Sequence, residues 1–217
     1  MNYSKKIIYL IILSALLVCG CLNLTQKPSK KINYYTLEYD SPKTANLKAL
    51  PFVIYIERFN VAPTYDSSRM IYSQKKFKRD AYIYHKWMAN PGDFVTYYLT
   101  RDIKRSSLFR TAFSLNSSYS STYIINGTVD EFFEQDNNDI WKAVLSISIT
   151  LMSKDEPDIS KSVLIQKQYS AIEPCSRKNP QALAEAMSKA MANISGRIIK
   201  DVYKCLTAQV IRLKAVD

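Results

Sequence analysis

Residues 141–152 read WKAVLSISITLM, with Trp141, Ala143, Leu145, Ile147, Ile149 and Leu151 at every second position and Lys142, Ser146, Ser148 and Thr150 among them. Side chains alternate across a strand, so a period of two predicts a β-strand with one buried face. Two neighbouring runs share this character: residues 122–133, bounded by the serine-rich 117–121 and the polar 135–139, and residues 162–172. Short connections join the three into an antiparallel meander covered on one side. What covers it is written on either flank.

Asn90-Pro91-Gly92-Asp93 supplies an N-cap, a proline at the first helical position and a negative charge in the first turn. Val95, Leu99 and Ile103, with Phe94 and Tyr98, mark the buried stripe, and Lys104 and Arg105 close a helix that ends before Leu108. Asn179-Pro180 repeats the start signal for a helix over 180–204. Its stripe is Leu183, Met187, Ala190, Met191, Ile194, Ile198, Val202 and Cys205, with Glu185, Lys189, Asn193, Arg197, Lys200 and Lys204 opposite. The small residues in that stripe favour packing on the sheet over a membrane or coiled-coil surface.

Upstream, residues 32–39 (INYYTLEY) and 52–58 (FVIYIER) read as strands, 60–70 as a loop, and 71–73 with 81–84 as a hairpin around the basic cluster Lys75-Lys76-Phe77-Lys78-Arg79. Residues 110–115 read as a further short strand. The fold expected is α+β: a mostly antiparallel sheet with two main helices packed on it.

The amino terminus carries a different signal. Lys5 and Lys6 precede an apolar run from Ile7 to Val18, followed by Val18-Cys19-Gly20-Cys21. That is the n-region, h-region and small-residue cleavage site of an export leader. The apolar run is too short to span the ~30 Å hydrocarbon core. The tetrad resembles a bacterial lipobox, which predicts cleavage between Gly20 and Cys21 and diacylglycerol on the Cys21 sulfur, with a further acyl chain on its amine. More than one chain gives a lasting anchor. Residues 1–20 are therefore expected as leader, 21–31 as a lipidated flexible tether and 32–217 as one domain, large enough to bury a core without staples.

The formal net charge is +11, of which the leader holds Lys5 and Lys6. Export argues against nucleic acid as partner, and the spread of basic residues suits a solvated surface, with the membrane surface as second choice. Cys175 and Cys205 are expected to stay apart, because the helix over 180–204 is ~37 Å long and the five residues from Cys175 to Pro180 reach back only ~17 Å. One histidine, His85, and no G-x-S-x-G elbow leave nucleophilic catalysis thinly supported. Few glycines exclude a phosphate loop, so the chain is read as no ATPase; no metal and no cofactor are expected either. Asp130, Glu131, Glu134, Asp136 and Asp139 gather near one hairpin, without the pattern of a calcium loop, and are expected on a solvated turn. Tyr65, Arg69, Tyr82, Tyr84 and Trp87 are either sheet packing or a partner-binding surface, since aromatics with a polar end suit borders between apolar and wet regions.

The lipobox, YYTLEY, the segment Val61 to Tyr72 (VAPTYDSSRMIY), the Y-x-Y-H-x-W segment before P-G-D-F-V, Ser107-Leu-Phe109, W-x-A-x-L and the A-E-A-M-S-x-A-M helix, in that order, resemble the ABC-type transport auxiliary lipoproteins. These are the PqiC-like partners of MCE-domain lipid transport systems. The resemblance implies a non-enzymatic lipoprotein on the periplasmic face of the outer membrane, working with an MCE-domain protein and an inner-membrane ABC permease and ATPase, with phospholipid and a homo-oligomer as further possibilities. Leu22, not aspartate, after the anchor agrees with outer-membrane sorting. The alternatives are a lipid-binding carrier and, more remotely, an envelope hydrolase.

Overall fold

The computed structural model describes Tyr3 and residues 31–44, 47–114, 120–136 and 139–214. The chain divides into two units, Met1–Lys31 and Ile32–Asp217. In the first, Tyr3 and Lys31 are described and both are exposed, so the leader, Gly20, Cys21 and most of the tether lie outside the described residues. The second carries its own core, with buried apolar side chains from Leu37 to Leu206.

Its centre is β7 (Tyr123–Asp136), a strand that uses its two edges differently. Along one edge it pairs antiparallel with β8 (Trp141–Ser153) from Tyr123↔Ser153 to Asp136↔Trp141, and β8 pairs antiparallel with β9 (Val163–Pro174). This is the expected meander. Along the other edge, three strands follow one another, all parallel to β7: β2 (Leu50–Ile56), β3 (Asn60–Val61) and β4 (Arg69–Ser73). Glu57 N–H donates to Ile125 O and Ala62 N–H to Val129 O, both at 2.9 Å, which carries the ladder across the breaks between them. Two branches leave this edge: β2 pairs parallel with β6 (Phe109–Ser114), and β4 pairs antiparallel with β5 (Asp80–Trp87), which holds β1 (Asn33–Tyr35) in parallel. The two longest ladders, β7–β8 and β8–β9, are antiparallel, and among the described residues the sheet of this α+β fold has nine strands.

Helix α1 (Pro91–Arg105) begins where the sequence signalled, Asn90 Oδ1 accepting from Gly92 N–H at 2.9 Å. It ends at Ser106, after which Ser107 takes φ 57°, the left-handed turn that commonly closes helices. Phe94, Val95, Tyr98, Leu99 and Ile103 are all buried. After the four-residue α2 (Ile159–Ser162), which the sequence did not announce, α3 runs from Pro180 to Lys214, ten residues past its expected end. Nothing between 204 and 214 breaks a helix, and Leu206 is fully buried, so the stripe simply continues. All eight stripe positions of α3 are buried or half-buried, against β8 and β9. The helix is unbroken at Gly196, and Cys175 and Cys205 are both free thiols. Among the described residues no helix is long and apolar enough to cross a membrane.

Other expectations need correction. Only residues 33–35 of the first expected strand lie in the sheet; the chain then leaves it to join the helices, with Leu37 fully buried, Leu37 O accepting from Tyr98 O–H and Glu38 N–H donating to Ser188 Oγ at 3.0 Å. Residues 60–70 are not all loop, because β3 is drawn onto β7 and β4 begins at Arg69, which pairs with Lys86 of β5. On β8 the polar face is not uniformly wet: Ser146 is buried and its hydroxyl meets that of Ser170 at 3.0 Å.

Phe59, between β2 and β3, shows why the sheet edge needs glycine. Its N–H donates to Thr96 Oγ1 on α1 at 2.9 Å, its carbonyl oxygen would lie 2.4 Å from a β-carbon on Gly92, and its ring 2.6 Å from one on Gly127. Helix and sheet close on this one residue because both glycines present bare backbone to it.

Candidate partner interface

The five residues singled out as a partner surface all fall on or near the β4–β5 hairpin, but at different depths. Trp87 is 1% exposed, edge-on to Phe132 and Phe94 with ring centres 5.1 and 6.1 Å away. Tyr65 is also buried and stacks on Phe133 at 5.8 Å. These two are core residues, because β5 ends under α1 and the 62–68 loop folds its tyrosine inward. Tyr82 is half-buried; Tyr84 and Arg69 face outward.

The register shows what accompanies them. Arg69 pairs with Lys86, and Lys86 with Tyr34 on β1. Directly paired residues share a face, so a row of two cations and an exposed tyrosine crosses three strands, with Tyr84 two positions along from Lys86. Ile83 and Met88, both exposed, lie on the same hairpin and its end. Sequence reasoning missed Tyr34, Lys86 and Ile83, since their neighbourhood depends on β1 adding in parallel to β5, and no local pattern encodes a pairing across fifty residues.

Beneath this surface lies a polar cluster. Tyr82 O–H donates to both Glu134 oxygens, at 2.9 and 3.2 Å, and its ring lies 4.8 Å from that of Tyr72, 5.8 Å from His85 and 6.3 Å from Trp141. His85 Nδ1 is 2.9 Å from Tyr35 O–H. The lone histidine is thus packed among tyrosines, with the Tyr35 hydroxyl as its hydrogen-bond partner. Glu134 is 1% exposed, which corrects its placement on a solvated turn: β7 runs three residues further than expected and carries it inside. Among the described residues no group of three or more His, Cys, Asp or Glu side chains is arranged to hold a metal ion.

Residues 35–199 match the sequence profile of the ABC-type transport auxiliary lipoprotein component family. The chain belongs to that family. This auxiliary lipoprotein component also has the fold of a Xanthomonas campestris protein assigned to the DUF330 family, whose crystal structure is 13% identical with a TM-score of 0.74 over 82% of this chain and 98% of that one. A hypothetical protein of Chlamydia trachomatis, 8% identical, gives a TM-score of 0.53 over 73% of this chain and 99% of its own. At such identities the likeness speaks for the fold alone. No curated protein matches. The family is one of transport components, not of enzymes.

The buried carboxyl gives the auxiliary lipoprotein a pH signature. Burial pushes Glu134 from its ordinary 4.5 up to about 7; Asp136 adds to the rise, while the Tyr82 hydroxyl and Lys178 pull against it. Cys175, pushed up to about 11 chiefly by burial, lies near the same carboxylate. Between 4.5 and about 7 the native chain holds a proton that the unfolded chain has released. Stability therefore falls as pH rises through that window, by on the order of 1–3 kcal/mol. Urea midpoints measured at both ends should show the drop, and Glu134→Gln, which still accepts from Tyr82, should flatten it. A slope unchanged in that variant would mean another group titrates.

Proposed function

We propose that this chain is an acylated docking component of an ABC transport system that moves lipid between envelope membranes. The match to the auxiliary family over residues 35–199 carries the reading. In this account Cys21 bears the acyl chains at the periplasmic face of the outer membrane, and the domain meets an MCE-domain protein served by an inner-membrane permease and ATPase. Docking suits the clefts better than lipid carriage does, because two of them, of about 610 and 530 Å³, are open and lined mainly by polar side chains, whereas a carrier needs an enclosed apolar cavity. The row of Arg69, half-buried Lys86 and Tyr34, with Tyr84 and Ile83, is the docking surface proposed. A tether to one membrane raises the local concentration of this surface for a partner that arrives from the other. The ATPase supplies the energy, and the lipoprotein supplies position.

Metabolic labelling with an alkyne fatty acid, followed by capture under mild detergent, tests this. The native chain should be labelled, sediment with membranes and bring down an MCE-domain protein or its permease. Cys21→Ser should lose the label. Capture that brings down no transporter component from the native chain would sink the docking role, and a label that survives Cys21→Ser would place the acyl group elsewhere.

A further inference from the structure

The turn at the tip of the β4–β5 hairpin is built in a way the domain itself does not need. Lys78 N–H donates to Lys75 O at 3.2 Å, closing a tight turn whose third residue, Phe77, has φ 65°. Glycine or asparagine is favoured there, because a β-carbon crowds the backbone in the left-handed region. Phe77 nonetheless occupies it and is 92% exposed. A strained aromatic that buries nothing within the domain is held for something outside it.

Its surroundings say what. Lys75, Lys76, Lys78 and Arg79 flank it in sequence, and Lys76 Nζ lies 5.0 Å from its ring centre. Lys78 is neutralised by Asp80 at 2.8 Å, whereas Lys75 and Lys76 have no acidic partner among the described residues. The root is braced: Arg79 donates to Ser73 Oγ at 3.0 Å and lies over the Phe133 ring, 4.2 Å from its centre. Between tip and root opens a cleft of about 610 Å³, bordered by Ser73, Lys75, Lys76, Arg79 and also Asp136, whose carboxylate faces Lys178 at 3.6 Å.

We propose that the turn Gln74–Arg79 is an interfacial anchor for an anionic phospholipid bilayer, Phe77 entering the acyl boundary while Lys75 and Lys76 meet lipid phosphates. An aromatic ringed by lysines is the chemistry of such a surface, since cations near anionic lipid and an apolar side chain at the headgroup boundary each favour binding. The proposal leans on the lipoprotein reading only for the nearness of a bilayer: a ten-residue tether, 22–31, reaches at most ~35 Å. Within that reach a weak second contact suffices to orient the domain on its membrane.

The test uses residues 22–217 without acylation, a chain that keeps the whole core. It is sedimented with vesicles of phosphatidylcholine alone or mixed with phosphatidylglycerol. Binding is expected to the mixed vesicles, weakening as salt rises. Replacing Lys75 and Lys76 by glutamine should weaken it roughly thirty-fold, at about fivefold for each charge, and Phe77→Gly about tenfold or more, with no fall in melting temperature because glycine relieves the turn. Equal binding to neutral vesicles, variants that bind as well as the native chain, or capture by soluble polyglutamate but not by vesicles would overturn the proposal. None of these outcomes touches Cys21 acylation or transporter capture, so the two readings fail separately.

Discussion

Asp102→Ala is expected to cost ~3–5 kcal/mol, because removing one member of a buried charged network strands the others. The Asp102 side chain is inaccessible, and its carboxylate accepts from Tyr39 O–H, Ser41 Oγ and Ser195 Oγ at 2.7 Å each and from Arg101 Nε at 2.9 Å. Those donors come from three places: the segment between β1 and β2, α1, and the middle of α3. The Arg101 guanidinium lies 4.4 Å from the Tyr39 ring centre and 4.6 Å from that of Tyr98, two rings that stack on each other at 5.1 Å, so alanine at 102 would leave a cation and three hydroxyls facing each other without an acceptor. Burial first, and the Asp102 charge second, raise the Tyr39 phenol far above its ordinary value, so it remains a donor at any physiological pH. Asp102→Asn, which keeps the shape but not the charge, should fall between. Urea midpoints decide the matter, and a loss under ~1 kcal/mol for alanine would mean that the three segments hold together without the carboxylate. The same network fastens the segment that follows β1 to the helices, through Tyr39 and Ser41.

How much of this was legible in the sequence depends on how local each signal is. The period of two in 141–152 and the Asn-Pro pairs at 90 and 179 are local, and β8, α1 and the start of α3 formed where they pointed. The end of α3 was not legible, because Lys204 closes a charge pattern without a glycine or proline to stop the helix. The succession β2, β3, β4 along one edge of β7 is a long-range arrangement: residues 60–61 look like loop until a neighbouring strand offers them hydrogen bonds. The same holds for the candidate site. Tyr82, Tyr84 and Trp87 could be noticed as a cluster, but parity along β5 is interrupted by a register shift between its partners Arg69 and Ile71, so the sequence could not say which aromatics face outward. Asp102 gave no signal at all; an aspartate in a helix before Ile103 reads as surface until the fold brings Ser195 to it.

That ambiguity is what a second pair of substitutions resolves. Trp87→Ala should destabilise the domain by ~3–5 kcal/mol, the usual cost of emptying a large aromatic site in a core. The indole is 1% exposed, wedged between Phe94 of α1 and Phe132 of β7. Its backbone N–H also donates to Ser68 O at 2.7 Å, and its register partner is Tyr35 of β1, so a collapse here loosens the strand that carries Tyr34. Tyr84→Ala, at a residue 38% exposed, should cost no more than ~1 kcal/mol. If Tyr84 belongs to a docking surface, both variants lose transporter capture but differ in melting: Trp87→Ala loses its melting transition as well, and Tyr84→Ala keeps it. Melting curves and capture yields from the same preparations separate the cases. If Tyr84→Ala captures transporter components as well as the native chain while folding normally, the docking surface lies elsewhere. If Trp87→Ala melts like the native chain, the packing of β5 beneath α1 is not what holds this hairpin on the domain.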